Sequence, residues 1–252
     1  MSNKVKNKSL NEIKNEWDAI SEKRQEIIEL GKDISLTCVT SPCILNEIEK
    51  EKPSIVLDVG CGTGYLTSKL SELCDFCYGV DISEKSIKKA KEKYSSPKIN
   101  FINSSISNTN IDAQIDICVS NMVIMTDPEW KESLKHIYEL LKFDGCFMLM
   151  LTHPCFWPSY WKYDTEPWFN YNQEIYVQHH FFTSFSESLG VSTHIHRPLS
   201  SYIKTILETG FDIVTIKEPQ PIECTPPEYH YDYPRFLFIK CKKTKKSQTN
   251  NS

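Results

Sequence analysis

Seven short apolar runs punctuate the chain, at residues 55–59, 76–80, 99–102, 115–120, 146–151, 211–216 and 235–241. Most are continuous rather than alternating, the pattern of strands buried on both faces. Between them apolar positions recur at helical spacing: Leu66, Leu70 and Leu73; Ile87, Ala90 and Tyr94; Trp130, Leu134, Ile137 and Leu141. Ser83 is placed to cap the second of these helices. Asp127 is placed to cap the third, with Pro128 at its first position, where a missing N–H costs nothing. Asp144-Gly145 predicts a tight turn before the fifth strand. Ser200 opens a further helix and Gly210 closes it. Ahead of the first strand, Leu10, Ile13, Trp17 and Ile20 mark one helix and residues 42–50 a second. Alternating strands and helices predict an α/β fold on a parallel sheet. The last two strands have no helix between them and can pair antiparallel.

The candidate chemistry sits where the first strand meets its helix. Residues 55–66 read Ile-Val-Leu-Asp-Val-Gly-Cys-Gly-Thr-Gly-Tyr-Leu. Glycine is used where the backbone adopts unusual dihedrals or a ligand approaches closely. The second run ends in Asp81, and in doubly wound folds a carboxylate there accepts hydrogen bonds from a ribose diol. The pair predicts a nucleoside-containing cofactor, with dinucleotides and S-adenosylmethionine as the competing classes. Dinucleotide loops read G-x-G-x-x-G; this one reads G-x-G-x-G.

Asp58, Gly60, Gly62 and Gly64 match D-x-G-x-G-x-G without a gap. The segment resembles motif I of class I S-adenosylmethionine-dependent methyltransferases. Over residues 17–241 the resemblance implies a Rossmann-like methyltransferase fold. Its sheet has seven strands, mostly parallel, in the order 3-2-1-4-5-7-6 with strand seven antiparallel. It implies S-adenosylmethionine as cofactor, held by Asp58, Gly60, Cys61, Gly62, Gly64, Asp81, Ile82, Ser105, Ile106 and Asn121. Ser105 stands where the family often carries an acid for the adenine amino group, and a hydroxyl accepts that bond more weakly. Residues 140–145 resemble the family's L-L-K-P-G-G turn and depart from it at Phe143 and Asp144. The expected organisation is one catalytic domain at 1–241, with N-terminal helices in 1–50, a cap insertion at 152–198 and a disordered basic tail at 242–252.

Composition narrows the acceptor. At 252 residues the chain can bury a sizeable core. A net charge of -4 argues against a broad phosphate-binding surface, so no nucleic-acid partner is expected. No apolar run approaches membrane-spanning length, and residues 1–14 lack a signal-peptide core. A cytoplasmic protein with reduced thiols, monomeric or homodimeric, is the expectation. Cys74 and Cys77 form a C-x-x-C without a second pair, so no metal is expected. The [DNS]-P-P-[YFW] motif of nucleobase amine methyltransferases is absent, since the position reads Ser120-Asn121-Met122-Val123. Cys155 stands near where RNA cytosine methyltransferases hold a nucleophile, but their partner motif is missing too.

The segment 152–198 is dense in rings, among them Phe156, Trp157, Tyr160, Trp161, Trp168 and Tyr176. It also holds His153, His179, His180, His194 and His196. An insertion leaving the carboxyl end of a parallel sheet lies over the cofactor crevice. Within it, residues 175–185 and 191–196 can pair as a hairpin. The bland alternative is a small satellite core under a long loop. His153-Pro154-x-Phe156 and Arg197-Pro198-Leu199-Ser200 resemble a small-molecule methyltransferase subgroup. The expected acceptor is therefore a small, partly apolar molecule methylated at O or N. His153 is the expected base, with Trp157, Trp161, Tyr176, His180 and Tyr229 binding the acceptor. His179 and His180 lie on opposite faces of a strand. Trp17 and Arg24 can close over the cofactor from the N-terminal helix, although a solvated face suits Arg24 equally. Competing readings are non-methylating use of the same cofactor and a non-catalytic cofactor-binding protein.

Overall fold

The computed structural model describes residues 2–183, 187–222, 225–226 and 229–244. Chain order runs β1 (Asn3–Lys4), α1 (Leu10–Glu29), α2 (Ser41–Glu51), β2 (Ile55–Val59), α3 (Tyr65–Leu70), β3 (Phe76–Asp81), α4 (Glu84–Tyr94), β4 (Ile99–Asn103) and β5 (Ile115–Asn121). It continues through α5 (Trp130–Leu140), β6 (Leu141–Thr152), α6 (Trp157–Tyr160), β7 (Ile175–Phe181), β8 (Gly190–His196), α7 (Leu199–Thr209), β9 (Phe211–Lys217) and β10 (Phe236–Lys243). Seven strands form one sheet in the order β4-β3-β2-β5-β6-β10-β9. All neighbours pair parallel except β10, which is antiparallel to both β6 and β9. This is the order expected from the sequence. No helix among the described residues is long and apolar enough to cross a membrane.

Local capping signals explain two helix starts. Ser9 and Glu12 form a capping box on α1, and the Ser83 hydroxyl accepts the Ser86 N–H at 3.0 Å to cap α4. Three expectations shift. Helix α5 begins at Trp130, so Pro128 lies in the turn before it. Asp127 still serves the helix start by accepting from Glu129 N–H at 2.7 Å and the Ser133 hydroxyl at 2.6 Å. Strand β6 begins at Leu141, with the turn residue Asp144 held inside it at φ +62°. The β5–β6 register absorbs the irregularity between Ile115 and Ile117. Lys242 and Lys243 extend β10 instead of opening a tail; residues 245–252 lie outside the described residues.

The sheet is buried on both faces. On one, Trp130, Leu134 and Ile137 of α5 and Tyr202 and Ile206 of α7 pack against Leu57, Phe147 and Ile239. On the other, Ile44 and Ile48 of α2 and Leu66 and Leu70 of α3 pack against Val56, Met148 and Phe238. Trp157, Tyr163, Ile175 and Val177 of the 152–198 segment belong to this second core. The cap is thus continuous with the main interior and not a satellite.

Strands β7 and β8 form the expected hairpin, and β1 adds a third strand to it. Phe185, expected in the first arm, lies outside the described residues. Helix α1 ties hairpin to sheet. Glu16 accepts the Thr193 N–H of β8 at 2.9 Å, and Asp18 accepts the Ser83 hydroxyl at 2.6 Å. Cap, α1 and the carboxyl ends of β2 to β6 enclose one cavity of about 750 Å³.

Candidate active site

The glycine loop lines one end of this cavity, and its three glycines do different work. A Cβ on Gly60 would stand 2.2 Å from Val123, and one on Gly64 would stand 2.9 Å from Phe101 and 3.0 Å from Ala90. Those two glycines let neighbouring elements close in. A Cβ on Gly62, at φ +54°, would meet nothing within 4 Å, because the space beside it is the cavity itself. Gly62 is the point where backbone can approach a ligand.

Two carboxyls flank the loop. Asp58, 1 % exposed at the end of β2, accepts the Thr67 hydroxyl at 2.7 Å and so ties β2 to α3. Burial pushes it up to about 7 despite that bond, and the neighbouring Asp81 adds to the rise. Asp81 accepts the N–H groups of Gly62 and Ser83, each at 2.8 Å, one on each oxygen. Burial in the crevice outweighs those bonds and pushes Asp81 up to about 6. Each oxygen keeps acceptor capacity for a second donor. The loop after β5 is strained: Met122 stands at φ +63°, rare for a side chain of its size. Beside it the Asn121 amide donates weakly to Thr40 at 3.4 Å, while Oδ1 is buried without a partner. Ser105 lines the cavity and bonds Ser107 at 3.1 Å.

The other end is aromatic. Trp157 and Trp161 line it with ring centroids 5.3 Å apart, and His179 stacks on Trp161 at 4.7 Å. His194 faces the same two indoles. Tyr229 closes the wall, its hydroxyl 2.7 Å from that of Ser35. The Arg235 guanidinium sits over the rings of Tyr160, Tyr231 and Tyr229 at 4.3, 4.6 and 5.2 Å. Among the described residues no carboxylate lies within ion-pairing distance of it.

Residues 56–145 match the family described as "Methyltransferase domain". The malonyl-[acyl-carrier protein] O-methyltransferase of Bacillus cereus is 29% identical over 108 residues, 42% of this chain and 40% of that protein. The chain thus spans less than half the length of the curated relatives it matches first. Among solved structures, one described as a "putative S-adenosylmethionine dependent methyltransferase" of Listeria monocytogenes superposes with a TM-score of 0.65 at 25% identity. The match covers 81% of this chain and 97% of that one. The 1,6-didemethyltoxoflavin-N1-methyltransferase of Burkholderia thailandensis gives a TM-score of 0.60 at 14% identity, over 97% of this chain and 95% of that one. Residues 56–145 are thus similar to a methyltransferase domain. Open space at Gly62, the unpartnered Asn121 oxygen and the spare capacity of Asp81 fit S-adenosylmethionine in the domain's crevice.

Of the expected cofactor residues, Asp58, Gly60, Cys61, Gly62, Asp81, Ile82, Ser105, Ile106 and Asn121 all line this cavity. Gly64 does not; it begins α3 at φ +87° and is needed for packing. Of the expected acceptor residues, Trp157, Trp161, His180 and Tyr229 line the cavity. Tyr176 does not, because strand alternation turns it to the face opposite Val177 and His179. His180 and His179 both reach the rim, since the hairpin end twists. His153 is not brought to the cavity. Its Nε2 meets Glu218 at 3.0 Å and its Nδ1 accepts the Cys155 N–H at 3.2 Å. Burial holds it below the ordinary histidine value even beside that carboxylate.

Arg24 departs from a solvated face. It is half-buried, pairs with the buried Asp33 and sits 5.4 Å from the Phe181 ring centroid at the cavity wall. Sequence reasoning missed the hub at Arg197, which is 2 % exposed. Its guanidinium donates to the carbonyls of Ile124 and Asp127 at 2.9 and 2.8 Å and to Glu174 at 2.6 Å, and packs over Trp130. Arg197 fastens the cap to the loop after β5. The run around Arg197 was visible as a helix start, but nothing local named its partners.

Proposed function

We propose that the protein transfers a methyl group from S-adenosylmethionine to O or N of a small molecule held under the aromatic cap. The observation that carries this is one continuous cavity, with the glycine loop and Asp81 at one end and the Trp157–Trp161 chamber at the other. The cofactor supplies an electrophilic methyl on a sulfonium. Asp81 would accept the ribose hydroxyls, and Gly62 would let the backbone approach. The cap excludes water and orients the acceptor, which is the larger part of what such a displacement requires. The Burkholderia structure of like fold, which holds 1,6-didemethyltoxoflavin and S-adenosylhomocysteine, is consistent with a small-molecule acceptor. Incubation with methyl-labelled cofactor and small-molecule extracts tests the reading. S-adenosylhomocysteine should form together with a labelled product. Cofactor cleavage without a methylated product would replace it with the non-methylating alternative.

A second reading has one observation behind it. Arg235, a cation without an acid partner among the described residues, would suit a carboxylate acceptor. The Bacillus cereus relative is named for methylating a malonyl group on a carrier protein. Alkali-labile methyl esters among the products would favour this reading.

A further inference from the structure

The chain has seven histidines. Six have a ring nitrogen engaged: His136 with the Thr109 carbonyl, His153 with Glu218, His179 with the His180 carbonyl, His180 with Ser188, His196 with the Tyr171 carbonyl and His230 with Asp232. His194 has none among the described residues. It is 6 % exposed, and it lines the cavity at the acceptor end between Trp157 and Trp161. Its ring nitrogens are not sealed in the core: they open on the cavity, where a ligand in the chamber can meet them.

We propose that His194 accepts the proton of the methyl acceptor, which is therefore a protic group, an O–H or N–H, and not a carboxylate. The proposal rests on the methyltransferase reading above. A carboxylate is already ionised at neutral pH and gives up no proton. A hydroxyl or amine must release one. The acceptor's lone pair forms the new bond to carbon while the carbon–sulfur bond breaks with its pair left on sulfur. The O–H or N–H pair stays on the acceptor, and the proton moves to a ring nitrogen of His194 and then to solvent.

Electrostatics favour that direction. Burial holds His194 well below the ordinary histidine value, with His196 and Arg197 on its own chain segment acting the same way. The indoles facing it, Trp157 of α6 and Trp161 just after it, carry no charge, and burial lowers His179 of β7 as well. The ring is thus uncharged and free to accept before reaction. As the sulfonium becomes a thioether one positive charge disappears, and the imidazolium that forms restores it. Cavity charge is conserved through the step, so protonating a buried ring costs less than its resting environment suggests.

Ring-nitrogen NMR of 15N-histidine protein tests this without a known acceptor. His194 is assigned by its loss in His194→Asn, or in His194→Gln should the first not fold. The protein is titrated with S-adenosylhomocysteine bound and then with S-adenosylmethionine bound. Beside a sulfonium, the His194 midpoint should fall by about half a pH unit or more between the two complexes. Equal His194 midpoints would overturn the proposal. Labelled products should keep their methyl through mild alkali, and release of labelled methanol would overturn it as well. Failure of both cofactor forms to bind by calorimetry would instead sink the methyltransferase reading.

Discussion

The two ends of the cavity are built on opposite principles. At the cofactor end the ligand would meet backbone: a glycine whose missing Cβ faces open space and a carboxylate anchored by two N–H groups. All of it comes from residues 58–81 and two further strand ends. At the acceptor end the ligand would meet side chains from distant segments: Trp157, His194, Tyr229 and Arg235. Backbone recognition tolerates many sequences but leaves a legible glycine spacing. A chamber of side chains leaves no spacing, and its rings serve packing as readily as binding. Tyr163, fully buried against Trp168 and Phe169, packs; Trp161, half-buried on the cavity wall, is free to bind.

The largest effect should come from cutting the joint between the ends. Arg197→Ala would strip donors from two buried carbonyls and break the pair with the exposed Glu174, at a cost of about 2–4 kcal/mol in denaturant unfolding. Loss below about 1 kcal/mol would mean that the cap holds without it. Next, Asp81→Ala should weaken S-adenosylmethionine binding by about 1.5–3 kcal/mol in calorimetric titration. Gly62→Val should block it through both strain at positive φ and lost space. Unchanged affinity in both folded variants would remove the cofactor assignment.

The pH dependence should be smaller and have opposite signs for fold and ligand. Asp58 and Asp81 are raised to about 7 and 6 from 3.8. The folded chain therefore holds protons that the unfolded chain releases. Their contribution to stability is full below the unfolded value and is lost as pH rises through 6 to 7. The ligand-free protein should thus gain from these two groups between pH 8 and 5, read as a rise in Tm that Asp58→Asn flattens. Cofactor affinity should instead decline below about pH 6, as Asp81 protonates and stops accepting two donors, and Asp81→Asn should abolish that slope. The smallest effect separates the ends most cleanly. Trp161→Ala should leave cofactor affinity within about 0.5 kcal/mol, because the indole lies only at the acceptor end. A tenfold loss there would show that the cap contributes to cofactor binding.

The fold was largely legible from apolar spacing, since a strand buried on both faces and an amphipathic helix write different periods into the chain. Even the antiparallel last strand followed, from the missing helix before residues 235–241. The cofactor loop was legible because its geometry is local. Gly64 shows the limit: it shares the motif, yet its reason is the approach of Phe101 and Ala90, which no spacing announces. Only tertiary structure decided which histidine is free. His153 follows strand β6 directly but is bonded on both nitrogens, while His194 of β8 has neither engaged among the described residues and lines the cavity. Hydrogen bonding between residues tens of positions apart, such as His153 with Glu218, is settled when the elements pack, and the sequence by itself carries no record of it.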